Sequence, residues 1–168
     1  MKLISLAALL TAAAFPALAQ SKSCGPLPAE FDGLAFAGDG DTLYGVGYTP
    51  PIRLWGVQAA ELRDKKTGIE TPAGMRGRAA LEELLSATDH RLKCEPRKWD
   101  RFCRVVATCT AGNVDVAFEL IRGGMAYGFW LSDTQPSQAG RSVEYARAEA
   151  EARKQGRGLW KEWLAEKQ

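Results

Sequence analysis

The sequence contains little histidine and no closely spaced pair of cysteines. His90 is the single histidine, and the four cysteines form no C-x-x-C pair of the kind that binds structural zinc. A hydrolase of the Cys–His or Ser–His–Asp type would have to use His90, and no nucleophile motif accompanies that residue. We therefore exclude a zinc site and disfavour a histidine-activated nucleophile.

Glycine-rich motifs that bind nucleotide phosphates are also absent. Gly38-Asp39-Gly40 is not followed by the third glycine of a dinucleotide-binding fingerprint, and no Walker lysine follows a glycine-rich loop. Asp39 and Asp41 begin like an EF-hand calcium loop, but Leu43 occupies the third ligand position. These absences leave oxygen ligands and arginines to carry the chemistry.

The chain lacks an excess of charge of one sign. It has 22 lysines and arginines against 20 aspartates and glutamates, and the loss of Lys2 with a cleaved leader would almost cancel the difference. The composition therefore encodes no long-range attraction to nucleic acid, and any anion must be bound by locally placed arginines. Beyond the N-terminus no segment approaches the roughly 20 apolar residues of a membrane-spanning helix, so we expect no membrane span.

Residues 1–19 have the pattern of a secretory signal peptide. A positive start at Lys2 precedes an apolar stretch ending at Pro16, and Ala17-Leu18-Ala19 is a small-x-small cleavage site. We expect an exported protein, in the periplasm or the medium, where disulfides persist. The four cysteines, which allow three complete pairings, are Cys24, Cys94, Cys103 and Cys109.

Strand and helix signals alternate along the chain. Predicted strands lie within 34–57 and at 90–95 and 104–110, where β-branched, aromatic and leucine residues cluster. Predicted helices begin after Thr71, an N-cap followed by Pro72, and cover 116–121, before Gly123-Gly124, and 141–155, before Gly156. The Ser- and Pro-rich segment 131–140 is a predicted linker. Strands with helices inserted and appended favour an α+β domain around a small barrel.

A disulfide pairing follows from the two later strands. If 90–95 and 104–110 pair antiparallel, Cys94 and Cys109 lie at comparable distances from the connecting loop. Cross-strand neighbours can satisfy disulfide geometry. We predict a Cys94–Cys109 bond, which leaves Cys24–Cys103 as the remaining pair.

The stretch "IRLWGVQAAEL" at 52–62 is apolar or neutral except for two charged residues, Arg53 near its start and Glu61 near its end. Arg53 has apolar neighbours, and a buried guanidinium is costly without a partner or an anionic ligand. A structural ion pair with Glu61 is one interpretation. Taken alone, Asp41 is typical of a turn residue, and Arg104 of a solvated charge at the rim of a strand.

These residues lie in or beside four segments that occur in a defined order and spacing along the chain: "DGDTL" (39–43), "IRLWGVQAAEL" (52–62), "WDRFCRVVA" (99–107) and "AEAEARKQGRGLW" (148–160). Their order and separation resemble the staphylococcal nuclease (thermonuclease) family, and we expect an exported bacterial member. The resemblance implies an α+β fold, a five-stranded OB-type β-barrel with three helices. It places the thermonuclease-like domain at 34–163, after a signal peptide at 1–19 and an N-terminal extension at 20–33.

The resemblance also implies calcium-dependent cleavage of phosphodiester bonds in DNA, RNA or both, by a monomer. Arg53 and Arg104 match the two family arginines, whose guanidinium groups can hold phosphate oxygens and stabilise the charge that develops there. Glu61 matches the acid that positions or deprotonates the attacking water. Asp41 matches a carboxylate ligand of Ca²⁺.

Other residues match family positions whose roles stay open. Lys65 and Lys66 lie where relatives carry a mobile basic loop, and they could equally be solvated lysines. Trp130 lies near the family's substrate-facing tyrosines, where it could stack on a base or belong to the packing.

Three positions depart from the family pattern. Gln58 stands where the family has an aspartate that ligates Ca²⁺, and Ala59 replaces the following threonine. A glutamine carbonyl and the Ala59 carbonyl can still coordinate Ca²⁺, but losing one carboxylate predicts a weak site. Cys103 replaces the glycine before Arg104, which strains that turn or ties it down through a disulfide.

Three functions remain open at this point. The leading hypothesis is an exported nuclease with a weakened calcium site. A catalytically silent binding module of the same fold is favoured by Gln58 and Ala59, but it has no need for the water-activating Glu61. In a purely structural envelope domain, Arg53, Glu61 and Arg104 would be paired with one another.

Overall fold

A computed structural model of the chain describes residues 24–131 and 139–165. The predicted signal peptide lies outside these residues, as does most of the predicted linker 131–140. None of the helices in the described ranges is long and apolar enough to cross a membrane.

Five strands close into a barrel. The strands of the main sheet are β1 (Phe31–Ala37), β2 (Thr42–Gly45), β3 (Ile52–Leu54), β5 (Arg91–Trp99), β6 (Val105–Ala111) and the short β7 (Val114–Asp115). They are ordered β3-β2-β1-β5-β6-β7. The parallel pairing of β3 with β6 closes the first five of these strands into the barrel, and β7 extends the sheet beyond β6. Closure satisfies the strand edges that an open sheet would leave unpaired. A second, two-stranded sheet pairs β4 (Val57–Ala59) with β8 (Ala126–Gly128). The predicted five-stranded barrel is confirmed, and β1 begins three residues before the predicted domain boundary at residue 34.

The barrel core is apolar on the inward face of each strand. In β1, Phe31 and Ala35 are buried while the residues between them are more exposed, which is the alternation expected of a strand with one face on the core. Fully buried barrel residues include Leu43, Ile52, Leu54, Leu92 and Val105.

The helices are α1 (Pro72–Ser86), α2 (Val116–Arg122), α3 (Ala139–Gln155) and α4 (Trp160–Ala165). Thr71 caps α1 as predicted, because its hydroxyl accepts a hydrogen bond from the N–H of Gly74 at 2.9 Å. Gly124, at φ +73°, provides the left-handed residue after α2. Three helices were predicted and four are present in the described residues. The fourth has six residues, too few to give a periodic apolar pattern.

Both predicted disulfides are present. Cys94 and Cys109 are directly opposite each other in the β5–β6 ladder, with their Cα atoms 4.1 Å apart. Cys24 and Cys103, separated by 79 residues, join the N-terminal segment to the β5–β6 turn.

Candidate active site

The structure contains a cleft of about 700 Å³. Its walls come from the β1–β2 turn, the β3–β4 segment, the loop after β4, the β5–β6 turn and the residues after β8. All five residues predicted for the site line this cleft: Asp41, Arg53, Gln58, Glu61 and Arg104. The barrel therefore brings residues from distant parts of the sequence to one place.

The register of the barrel sets Arg53 beside Asp41. Arg53 pairs with Thr42 across the β2–β3 ladder, so the residue before Thr42 lies next to the arginine. The Nη2 of Arg53 is 3.2 Å from the Oδ2 of Asp41, and the two residues are only 7% and 5% exposed. The buried partner of Arg53 is therefore Asp41 and not Glu61.

The Arg53 guanidinium is held on several sides. Its Nη1 donates to the carbonyl of Leu54 at 2.7 Å, and its Nη2 donates to the carbonyl of Val57 at 2.6 Å and to the Oε1 of Gln58 at 3.0 Å. Burial lowers the pKa of Arg53, and the Asp41 carboxylate opposes that shift. These contacts fix the plane of the guanidinium at the floor of the cleft.

Asp41 is a buried carboxyl with a perturbed pKa. Burial raises its pKa to about 6, against the lowering effect of Arg53 and with a further rise from Asp39. Its Oδ2 accepts a hydrogen bond from the N–H of Ala59 at 2.8 Å, and its Oδ1 accepts one from the Thr42 hydroxyl at 3.3 Å. A cation bound here would compete with a proton in mildly acidic solution.

The predicted calcium ligands already form hydrogen bonds with other groups of the protein. Gln58 accepts from Arg53 through Oε1 and donates through Nε2 to the Ala59 carbonyl at 3.1 Å. Within the described residues, no three His, Cys, Asp or Glu side chains are grouped so as to hold a metal ion. The donors near Asp41 are hard oxygens that suit Ca²⁺, but they offer one carboxylate and two neutral groups already in hydrogen bonds. The set fits a weakly held cation.

Arg104 is fastened by Asp100. The Nε of Arg104 donates to Oδ2 of Asp100 at 2.7 Å, and the backbone N–H of Arg104 donates to Oδ1 at 2.9 Å. Burial acts to raise the pKa of Asp100, but the hydrogen bonds from Arg104 and Phe102 outweigh it and lower the pKa. The Nη1 of Arg104 also donates to the Thr42 hydroxyl at 3.1 Å, which in turn donates to Asp41. Thr42 thus links the two arginines of the cleft.

Glu61 is the exposed carboxylate of the site. Its side chain is 60% exposed, and its Oε1 lies 3.4 Å from the Nζ of Lys65. Its backbone is anchored, because the Thr71 hydroxyl donates to the Glu61 carbonyl at 2.7 Å. Among the described residues, Arg53, Glu61 and Arg104 are each paired with a different residue and not with one another.

Aromatic side chains form the rim of the cleft. Trp130 is 66% exposed and stacks on Phe129, with ring centroids 5.6 Å apart. Lys98 lies over the Trp130 ring at 5.3 Å, and the Arg104 guanidinium lies 5.7 Å from the ring of Phe102. Of the two roles that the sequence leaves open for Trp130, base stacking and packing, its exposure favours stacking.

Sequence reasoning did not assign roles to Asp100, Phe102 or Phe129. Asp100 and Phe102 stand in the "WDRFCRVVA" segment beside Arg104, so their proximity to the site could have been inferred from the chain alone. Their contacts with Arg104 depend on the conformation of the turn, which no local pattern indicates.

Comparisons with known proteins identify a matching family model and several relatives. The family model described as "Staphylococcal nuclease homologue" matches residues 51–162, which include Arg53, Glu61 and Arg104. The "Probable endonuclease LCL3" of Paracoccidioides brasiliensis (strain Pb03) is 33% identical over 121 residues, covering 67% of this chain and 34% of that protein. The "Probable staphylococcal-like nuclease CAN2" of Oryza sativa subsp. japonica is 31% identical over 109 residues, covering 65% of this chain and 25% of that protein. The chain spans about a third or less of the length of these relatives. With two thirds of its length matched by the relatives and most of it by the family model, the chain belongs to the staphylococcal nuclease family.

Proposed function

We propose that this protein is a nuclease that hydrolyses phosphodiester bonds in DNA, RNA or both. The observation that carries the proposal is the convergence of Arg53, Arg104 and Glu61 on one open cleft. Arg53 reaches the cleft from β3 and Arg104 from the β5–β6 turn, and the two are linked through Thr42. A binding module would need the arginines alone, whereas the exposed Glu61 carboxylate suits the activation of water.

The arginines bind and polarise the scissile phosphate. Each guanidinium is oriented by a carboxylate, Arg53 by Asp41 and Arg104 by Asp100. Donors fixed before the reaction stabilise the charge that develops on the phosphate oxygens without reorganising during the step. Planar guanidinium groups also match the geometry of a phosphate with paired hydrogen bonds.

Glu61 accepts the proton of the attacking water. Its carboxylate is exposed on the cleft wall, and the fastening of its backbone to Thr71 holds it in place while the side chain stays accessible. Lys65 is within ion-pair distance of Glu61.

The cation of the family would be held by Asp41 together with the Gln58 amide oxygen and the Ala59 carbonyl. When bound, Ca²⁺ would supply positive charge next to the phosphate oxygens. Since Gln58 contributes no charge, this site requires a high calcium concentration.

The aromatic rim suggests a substrate with unpaired bases. Trp130, Phe129 and Phe102 are exposed beside the cleft, and base stacking on exposed aromatic rings is tolerant of sequence. We therefore expect single-stranded nucleic acid to be cleaved faster than duplex.

Export through the signal peptide at 1–19 is part of the proposal. All four cysteines are in disulfides, with no free cysteine among the described residues. This is the cysteine usage of oxidising compartments such as the periplasm or the medium.

The test is cleavage of single-stranded DNA by the purified, oxidised chain over a calcium series up to tens of millimolar, with a chelator control. Glu61→Gln removes the base, and Glu83→Gln is a matched control because Glu83 is exposed on α1 and does not line the cleft. We expect cleavage that requires the cation, disappears with Glu61→Gln and persists with Glu83→Gln.

The alternative is a catalytically silent nucleic-acid-binding module, favoured by the engagement of Gln58 with Arg53 and Ala59. It would give a folded protein without cleavage at any calcium concentration. Gln58→Asp then separates the two cases. Recovered cleavage would locate the fault in the missing ligand, while binding without cleavage in this variant would establish the module.

A further inference from the structure

The turn that carries Arg104 is built around a single carboxylate. Oδ1 of Asp100 accepts hydrogen bonds from the backbone N–H groups of Phe102 and Arg104 at 2.8 and 2.9 Å, and the N–H of Cys103 donates to the Asp100 carbonyl at 3.1 Å. The same carboxylate holds the Nε of Arg104. The direction of the Arg104 side chain is therefore coupled to the backbone conformation of residues 100–104.

Cys103 occupies the sensitive position of this turn. Its φ is +57°, in the left-handed region that glycine adopts readily and other L-residues avoid. Rotation of Cys103 toward the right-handed region would turn the following peptide group, and the Arg104 N–H would no longer point at Asp100. A non-glycine residue stays in such a conformation when its surroundings hold it there.

The restraint comes from the N-terminal segment. The Cys24–Cys103 disulfide ties that segment to the turn, and the indole Nε1 of Trp99 donates to the Gly25 carbonyl at 3.0 Å. A covalent bond and a hydrogen bond thus join residues 24 and 25 to both ends of the segment that carries Asp100. On the other wall of the cleft, Glu61 lies on an exposed loop whose backbone is held by the hydrogen bond from the Thr71 hydroxyl.

The second disulfide differs in its surroundings. Cys94 and Cys109 are each 1% exposed and lie opposite each other within the β5–β6 ladder. Cys24 and Cys103 are only partly buried. Because exchange requires a thiolate to reach a sulfur atom, a reductant reaches the Cys24–Cys103 bond while the barrel disulfide remains intact.

We propose that the Cys24–Cys103 disulfide positions Arg104, so that cleavage depends on the oxidation state of this one bond. The inference rests on the proposed function. In the redox step, a dithiol reductant supplies two electrons and two protons. The bond between the two sulfur atoms breaks, Cys24 and Cys103 become thiols, and the dithiol is oxidised to its own disulfide. Release of Cys103 frees the turn, and Arg104 loses its alignment with Asp100.

The test uses the full chain with two double variants. Cys24→Ser/Cys103→Ser removes the bond and leaves a side chain in the left-handed position, while Cys24→Ser/Cys103→Gly removes the bond and lets glycine adopt that conformation freely. Cys94→Ala/Cys109→Ala is the matched control, since it removes the disulfide that lies outside the turn. The readouts are kcat and KM on single-stranded DNA, thermal stability, and the NMR signal of the Arg104 Nε–H, which reports the hydrogen bond to Asp100.

We expect the serine double variant to lose kcat by about 10- to 100-fold, the scale of a displacement of about 1 Å in a catalytic group, with a smaller change in KM. Its Arg104 Nε–H signal shifts and exchanges faster, and reduction of the wild type by a dithiol reproduces both effects. The glycine double variant recovers part of kcat. The control loses thermal stability but keeps kcat and the Arg104 signal.

Two results would overturn the inference. One is a serine double variant with wild-type kcat and an unchanged Arg104 signal. The other is a loss of kcat that follows the unfolded fraction equally in the serine variant and in the control. If the oxidised wild type fails to cleave, the proposed function fails separately, and the Arg104 signal alone decides whether the disulfide positions this residue.

Discussion

Helix α1 approaches the Glu61 backbone so closely that only glycine fits at the contact. A Cβ atom added to Gly74 would lie 2.3 Å from the Glu61 carbonyl oxygen and 2.4 Å from the Cα of Leu62. Both obstacles are backbone atoms, so no side-chain rotation relieves the clash. Reaching the ordinary contact distance of 3.4 Å requires a movement of about 1 Å in the segment that carries Glu61.

Gly74→Ala should therefore damage activity more than stability. Overpacking costs about 1–3 kcal/mol, and the higher helix propensity of alanine returns up to about 1 kcal/mol. The net loss of unfolding free energy is about 0–3 kcal/mol, and a protein of ordinary stability, about 5–15 kcal/mol, remains mostly folded after such a loss. A displacement of about 1 Å in a catalytic group lowers the rate by about 100-fold, so we expect kcat on single-stranded DNA to fall on that scale.

Gly77→Ala in the same helix is the matched control. A Cβ atom there would lie 3.5 Å or more from its nearest neighbours, which is ordinary contact. This variant should keep its activity and gain about 0.5–1 kcal/mol of stability. The assay is steady-state cleavage beside urea unfolding of all three proteins. Wild-type kcat in folded Gly74→Ala would refute the reasoning, as would equal losses of kcat in the two variants.

Three further predictions concern the cation and the substrate. Gln58→Asp restores a carboxylate ligand, and the calcium concentration for half-maximal cleavage should fall at least about tenfold; an unchanged calcium titration would contradict the assigned ligand. The Asp41 carboxyl must lose its proton to bind a cation, and burial raises its pKa to about 6. Half-saturating calcium should therefore rise about tenfold for each pH unit below 6 and be flat above pH 7, and a flat profile from pH 5 to 7 would contradict competition between a proton and the cation at Asp41. Trp130→Ala should raise KM for single-stranded DNA about tenfold, since base stacking is worth about 1–3 kcal/mol, with little change in kcat. Phe36→Ala is its control, because Phe36 is an exposed aromatic residue outside the cleft, and an equal effect in both variants would exclude stacking at Trp130.

Local patterns in the sequence predicted those parts of the fold that local physics determines. The Thr71-Pro72 cap, the end of α2 at Gly123-Gly124 and the pairing of Cys94 with Cys109 each depend on a few neighbouring residues or on one hairpin. The strands β4 and β8 have three residues each. They exist because they pair with each other across more than sixty residues of sequence, and so short an apolar run has no period to detect.

The identity of the site residues was predictable, but their partners were not. Arg53 is eight positions from Glu61 along the chain, yet it pairs with Asp41 because the β2–β3 register places them side by side. Likewise, Gln58 was predicted as a weak ligand, and its hydrogen bonds to Arg53 and Ala59 depend on the closed barrel. Such contacts come from tertiary structure, which one sequence does not specify residue by residue.

The central claim is that Arg53 and Arg104 act on the same phosphate. A double-mutant cycle tests it most directly, with kcat measured for Arg53→Lys, Arg104→Lys and the double variant on single-stranded DNA. Lysine keeps the charge that faces Asp41 or Asp100 but loses the planar, paired donors of arginine. We predict that each single change lowers kcat by about 100-fold or more. The kcat of the double variant should be only slightly lower than that of the less active single variant, because the effects of mutating groups that act as a unit do not add. Wild-type kcat in either single variant, or losses that multiply in the double variant, would contradict the account.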